Sequence, residues 1–380
     1  MELNSFFTDF LANIRLPEEY AEECRKGHEI LRQRLEEDPK VAPIVVSTFL
    51  QGSYRRGTAV CPNHEQRADV DVVLVSKLSK EEYTPEKVFP LFTPFLDKYY
   101  PGQYRFQGRS IGISLKHVDL DLVIAAAPSE SEFGILKSNS VVGYETLEEA
   151  GDWMLDQNWL PAGKRPQDKR YVAKGTKGTE EWKSEPLYIP DREAKVWERT
   201  HPLAQIQWTR DKNARCNGHY VNVVKVIKWW YRTQKAMPKY PKGYLIEHLV
   251  GVCCPDGIKS VAEGVTRTLE AITLMYKNEA LQYRTPYLPD HGVPEHNVFW
   301  RVSGFDFAKF YGGVAEAARA ARQAYDLTDP PQSAAGWKKL LGDSFPDPPP
   351  GNGKGGGKQP DKGSFTRRVA PSVIGGGRFA

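Results

Sequence analysis

VVSTFLQGSYRRGTAVCPNHEQRADVDVVLV, residues Val45 to Val75, decides how this chain is read. An apolar run, Val45 to Leu50, leads into Gln51-Gly52-Ser53. A second run carries Asp69 and Asp71 among Val70, Val72, Val73, Leu74 and Val75. Short β-branched runs read as strands. Alternate residues of a strand share a face, so Asp69 and Asp71 stand side by side. Like charges at that spacing repel, and a fold gains no stability from them. A hard divalent cation, Mg²⁺ or Mn²⁺, relieves the repulsion through oxygen ligands. Gly52-Ser53 follows a strand and opens a short helix. That arrangement presents backbone N–H groups and a hydroxyl to a phosphate.

A two-metal site needs a third carboxylate from a neighbouring strand. The stretch Ile113 to Ala127, ISLKHVDLDLVIAAA, alternates and then turns continuously apolar, like one strand entering a core. It offers Asp119 and Asp121, again on one face. Each part alone is weak, because an Asp-x-Asp pair commonly ends a solvated strand and Gly-Ser commonly marks a turn. Gly-Ser, then the Asp pair, then Asp-Leu-Val-Ile-Ala on a later strand together form a pattern of the polymerase-β-like nucleotidyltransferases. QGSYRRGTA with ADVDVVLV resembles the CD-NTases, bacterial relatives of cyclic GMP–AMP synthase and oligoadenylate synthetase. The resemblance spans most of residues 1 to 345.

The resemblance implies an α+β architecture: a mixed nucleotidyltransferase sheet with helices over residues 1–200, then an oligoadenylate-synthetase-like helical domain over 201–345. The family's third aspartate matches the offset of Asp121, with Ile124 in place of the usual proline; Asp119 is the alternative, bonded to a nearby Arg or Lys. In this family a lysine on a long helix and a Ser-Tyr opening the next helix bind the donor nucleotide. Lys228 matches the first, with Lys225 as alternative. Tyr244 matches the second, and Gly243 stands where serine is usual. The implied site is then Asp69, Asp71 and Asp121 as catalytic and metal-binding residues for two Mg²⁺ (or Mn²⁺) ions. Gln51, Gly52, Ser53, Arg55, Lys228 and Tyr244 would hold nucleotide, with Arg56 a further source of charge. The implied reaction joins ATP and other NTPs, without a template, into a cyclic di- or trinucleotide, leaning to an adenine-containing trinucleotide, for anti-phage signalling. Rival readings are a linear oligoadenylate or tRNA/small-molecule nucleotidyltransferase, and a silent scaffold acting through its tail.

Other elements follow in order. Phe6, Phe7, Phe10, Leu11 and Ile14 recur at helical spacing, and Pro17 opens a second helix to about Glu37. Both are expected to pack on the sheet. Thr84 to Tyr100 reads as a helix interrupted by Pro90 and Pro94, followed by short strands at Tyr104–Gln107 and from Ile111. Residues 128–192 are turn-rich and read as a lobe of loops over the cleft. Asn213 to Thr233 reads as one long helix, with further helices at Tyr244–Cys254, Val261–Tyr276 and Phe305–Tyr325. Ser333–Phe345 resembles the family's closing segment, a helix expected to dock Trp337 on the body.

The chain has 380 residues, 40% hydrophobic, with net charge +4. Residues 346–380 hold six basic and two acidic side chains, leaving 46 of each sign in the body. A balanced body is not that of a duplex-DNA binder, so no long nucleic acid is expected as partner. No apolar stretch has the length of a membrane span, and the N-terminus lacks a secretory pattern. Five cysteines without paired spacing fit a reducing compartment, and a cytoplasmic location is expected. Cys61-x-x-His64 and Cys216-x-x-His219 have no matched partner pairs, so no structural zinc is expected. The Gly/Pro-rich tail cannot bury a core. By resemblance, the partners are a ubiquitin-transferase-like enzyme conjugating the C-terminus at Gly375–Ala380, or a HORMA-type regulator.

Overall fold

A computed structural model describes residues 1–62, 66–126 and 186–348. Most of the expected loop lobe and the tail from residue 349 lie outside the described residues. The elements run α1 (Asn4–Asn13), α2 (Glu18–Glu37), β1 (Val45–Gln51), α3 (Gly52–Arg55), β2 (Ala68–Ser76), α4 (Pro85–Val88) and α5 (Thr93–Tyr99). Next come β3 (Tyr104–Phe106), β4 (Ile111–Ser114), β5 (Val118–Ala126), β6 (Leu187–Asp191) and β7 (Val196–Thr200). The helical part follows: α6 (Pro202–Arg215), α7 (Tyr220–Thr233), α8 (Tyr244–Cys253), α9 (Val261–Met275), α10 (Lys277–Leu281), α11 (Gly304–Asp326) and α12 (Pro330–Leu341).

The strands form one sheet in the order β1-β2-β5-β4-β3, with β6 joined to the end of β5 and β7 to β6. β2 and β5 run parallel and the other pairs antiparallel. Strand alternation sorts the faces. Val70, Val72, Leu74, Leu120, Leu122 and Ile124 are buried in one cluster with Cys24, Leu31 and Leu35 of α2. On the other face Val73, Val75, Val123 and Ala125 are buried with Leu187 and Leu203. Asp69, Asp71, Asp119 and Asp121 share this second face, at the N-terminal ends of β2 and β5, where the apolar cover stops and a cleft begins.

Four expectations change. Ile113–Ala127 is a hairpin, not one strand: Leu115 N–H bonds to Val118 O at 2.8 Å and closes the turn around Lys116-His117. Asn213–Thr233 is two helices. Asn217 and Gly218 take φ of 53° and 79°, a left-handed pair that ends α6. The Asn213 side chain then accepts from Val221 N at 3.2 Å and starts α7. Leu187–Asp191, expected among loops, is a strand. Finally, α1 does not pack on the sheet. Its Phe7 ring meets Trp337 edge-on at 5.0 Å and Phe345 at 5.3 Å, inside the helical core. An apolar stripe needs an apolar surface, and the stripe alone does not say which one.

Candidate active site

The parallel pairing sets Asp69 beside Asp119 and Asp71 beside Asp121. Asp69, Asp71 and Asp121 can each offer a carboxylate oxygen within 4.8 Å of the others. They form the sole such acidic, His or Cys cluster of three or more among the described residues. Asp119 is engaged elsewhere: Ser114 Oγ donates to it at 2.6 Å, and Arg67 lies 3.8 Å away. Asp121 is steadied by Gln107 Nε2 at 3.0 Å. Asp69 opens on the cleft, yet desolvation by its walls, then Asp71, Asp121 and Asp119, push its carboxyl well above the usual range. Burial and Asp121 raise Asp71, against the pull of Arg56. Burial and Asp119 raise Asp121. Three crowded, desolvated oxygen donors of this kind suit a hard divalent cation.

Gln51 pairs across β1–β2 with Asp71, and Gln51, Gly52 and Ser53 line the cleft. Gly52 has φ +72°, and a Cβ there would stand 1.8 Å from Asp71 Oδ2. Only glycine lets this turn rest on the carboxylate.

The opposite wall comes from α7 and α8. Lys228 lines the cleft and donates to Thr58 O at 2.9 Å, whereas Lys225 is buried and is not part of the cleft wall. Burial lowers the Lys228 ammonium to about 8, with Glu247 opposing the shift. Glu247 is buried and accepts from Arg56 Nε and, at 2.7 Å, from Thr58 Oγ1; Lys228 Nζ lies 3.8 Å away. Burial alone would raise the Glu247 carboxyl, but Arg56 and Lys228 hold it below its ordinary value. The Arg56 guanidinium also sits 5.1 Å over the Tyr244 ring, and Tyr244 Oη donates to Asp290 at 3.0 Å. Arg55 is buried and outside the cleft wall; Arg56 lines it instead. Gly243 has φ 55° and ψ −122°, a backbone that disfavours the family's serine.

The cleft encloses about 810 Å³. Its far end is built by Arg109, between β3 and β4, and by Trp300 and Arg301 on the strap that joins α10 to α11. Of these residues, together with Glu247 and Asp290, sequence reasoning assigned none. Glu247 left one signal, a charge inside the apolar run YLIEHLVGVC. The strap has no periodicity and left none.

The model of the Second Messenger Oligonucleotide or Dinucleotide Synthetase domain matches residues 1–143. The chain is 43% identical to the cyclic AMP-AMP-GMP synthase of Enterobacter hormaechei over 388 aligned residues, covering 100% of each. The structure of the Bradyrhizobium diazoefficiens CD-NTase CdnG in complex with GTP aligns with a TM-score of 0.63 at 13% identity, covering 89% of this chain and 95% of that one. That of an E. coli MS115-1 CdnC:HORMA-deltaN complex aligns at 0.58 and 15% identity, covering 90% and 98%. The last two likenesses are of fold. End-to-end identity to the Enterobacter synthase, on a sheet that gathers three aspartates beneath a Gly-Ser turn, shows that the chain belongs to the CD-NTase family of nucleotidyltransferases, which synthesise cyclic oligonucleotides.

Proposed function

We propose that the protein joins two adenylates and one guanylate, from ATP and GTP, into cyclic AMP-AMP-GMP, as the name of its Enterobacter relative says of that enzyme. One observation carries the chemistry: Asp69, Asp71 and Asp121 cluster directly under the Gly52-Ser53 turn. Ser53, the N–H groups beside it and Gln51 hold the β- and γ-phosphates of the donor. Lys228 adds positive charge, and an arriving phosphate favours its protonated form. Tyr244, oriented by Asp290, stacks on the donor base. Asp69, Asp71 and Asp121 would hold two Mg²⁺ or Mn²⁺ ions, which when bound acidify the attacking ribose hydroxyl and neutralise the leaving pyrophosphate. Asp121, fixed by Gln107, faces the acceptor and takes the hydroxyl proton at a carboxylate oxygen. Attack at the α-phosphorus breaks its bond to the pyrophosphate oxygen, and repeating the step within the linear product closes the ring. The two walls supply the proximity.

Mass spectrometry of phosphatase-treated products from ATP, GTP and Mg²⁺ tests this. The expected result is a resistant ring of two adenylates and one guanylate, absent from an Asp69→Ala/Asp71→Ala control. A linear ladder would replace the reading with an oligoadenylate synthetase, and a product made equally by the control would end the metal-site assignment. We place the activity in anti-phage signalling. Its proposed regulators are a HORMA-type protein, or a ubiquitin-transferase-like enzyme acting on Gly375–Ala380, whose deletion would then abolish conjugation.

A further inference from the structure

Trp300 is 62% exposed and lines the cleft. Its mount is rigid. Phe299 before it and Val302 after it are buried, and Trp300 N bonds to Asn297 O at 3.2 Å. Asn297 Oδ1 in turn accepts from Leu288 N and Phe299 N, both at 3.0 Å. An indole on an anchored backbone, left open inside a nucleotide cleft, is a stacking platform, since every base has a π-face.

The sheet order says which base it serves. Gly52-Ser53 sits at the β1 side of the carboxylates, and Arg109 sits at the β4–β3 side, with β2 and β5 between them. The Arg109 guanidinium lies 5.9 Å from the Trp300 ring centre. The platform therefore stands on the far side of the carboxylates from the Gly52-Ser53 turn, where the donor phosphates are held. A second nucleotide occupies that side.

Besides Lys228, four arginines line this cleft: Arg56, Arg109, Arg199 and Arg301. Three are committed to carboxylates. Arg56 pairs with Glu247, Arg109 with Asp191 at 2.7 Å and Glu198 at 2.6 Å, and Arg199 with Glu295. Arg301 pairs with no carboxylate among the described residues; its guanidinium lies 4.6 Å from the Trp300 ring centre. The guanidinium lies over the ring face, so a base that stacks there displaces the fork to the base's edge. A guanine edge offers two acceptors, N7 and O6, to an arginine fork, whereas adenine offers N7 next to a donor amine.

We infer that Trp300 and Arg301 select guanine for the second-nucleotide position, Trp300 by stacking and Arg301 by a bidentate bond to N7 and O6. This rests on the cyclic AMP-AMP-GMP reading. The test uses the full chain with ATP and GTP together, and reads the ratio of guanylate to adenylate in total product and the KM for each nucleotide. Arg301→Ala is expected to lower the ratio about tenfold. Arg301→Lys, which keeps the charge and loses the fork, is expected to lower it as well. Trp300→Ala raises the KM for GTP, and Trp300→Phe restores it. Thermal melts of each variant verify folding. An Arg301→Ala enzyme with the wild-type ratio, or an equal loss for both nucleotides, would overturn the inference while leaving the parent reading intact. So would an Arg301→Lys enzyme of wild-type ratio, which would make charge alone sufficient. Wild-type product without guanylate would overturn both.

Discussion

Asp71 keeps its proton to a higher pH than an ordinary aspartate because burial and Asp121 both penalise its anion. The sign of the consequence follows from linkage. A carboxyl whose folded pKa lies above its unfolded value, near 4, costs stability once the pH exceeds that value; the cost is relieved as pH falls back. Asp71→Asn should therefore raise the melting temperature of chelator-treated protein by a few degrees at pH 8, with the gain vanishing near pH 4. Mg²⁺ should raise the melting temperature of the wild type and not of this variant. Turnover should fall at least about a thousandfold, the loss of several kcal/mol of transition-state stabilisation. A variant that melted lower in chelator and still responded to Mg²⁺ would contradict the assignment. Glu247 has the opposite sign. Its folded pKa is depressed, so its stabilisation is present above the unfolded value near 4.3 and is lost as pH falls through the folded one. Glu247→Ala strands Arg56 and Lys228 in a buried site and should cost about 3–5 kcal/mol at pH 7. Urea midpoints should show that gap closing below about pH 4.

Among the elements, α3 is the one whose position matters most for chemistry and whose own stability matters least, being only four residues long. Gly52 sets it against Asp71. Gly52→Ala must move either the turn or the carboxylate, and should cut turnover at least about a hundredfold, since a shift near 1 Å has that effect on a positioned group. Steady-state kinetics with a folding control by circular dichroism would check this; near-normal turnover would mean that the turn does not define the site. The strand alternation around Asp69 and Asp71 was legible because it is local, needing only the pleat. Asp121 against Asp119 needed more. Their spacing is the same, and the difference lies in Ser114 and Gln107, brought in by the β3–β4–β5 register, and in Arg67, brought in by the β2–β5 pairing. The break between α6 and α7 was written in Asn217-Gly218, but the apolar periodicity on both sides masked it. Lys228 and Tyr244 were reached by family likeness, and their partners Glu247, Thr58 and Asp290 are tertiary facts. Trp300 and Arg301 lie on an irregular strap whose place in the cleft depends on Asn297 and Phe299 being anchored first.

For the molecule as a whole, the two walls of the cleft are tied by the buried Arg56–Glu247 pair and by Lys228 on Thr58, and the helical wall is completed by α1. Phe7, buried between Trp337 and Phe345, anchors that helix. Phe7→Ala should cost about 3–5 kcal/mol, read as a lower urea midpoint, with loss of activity following the loss of the fold. A change under 1 kcal/mol would show that the helical part stands without α1. The same packing bears on how the chain is made. Phe7 and Leu11 leave the ribosome more than three hundred residues ahead of Trp337 and Phe345. At about 5–20 residues per second, the first helix waits on the order of half a minute for its partners. The sheet, complete in sequence by Thr200, can form in that interval with an oily amphipathic segment still dangling from its entrance. A newly made chain thus needs a chaperone at α1 for most of its synthesis, and it becomes a finished enzyme only when α12 closes over α1.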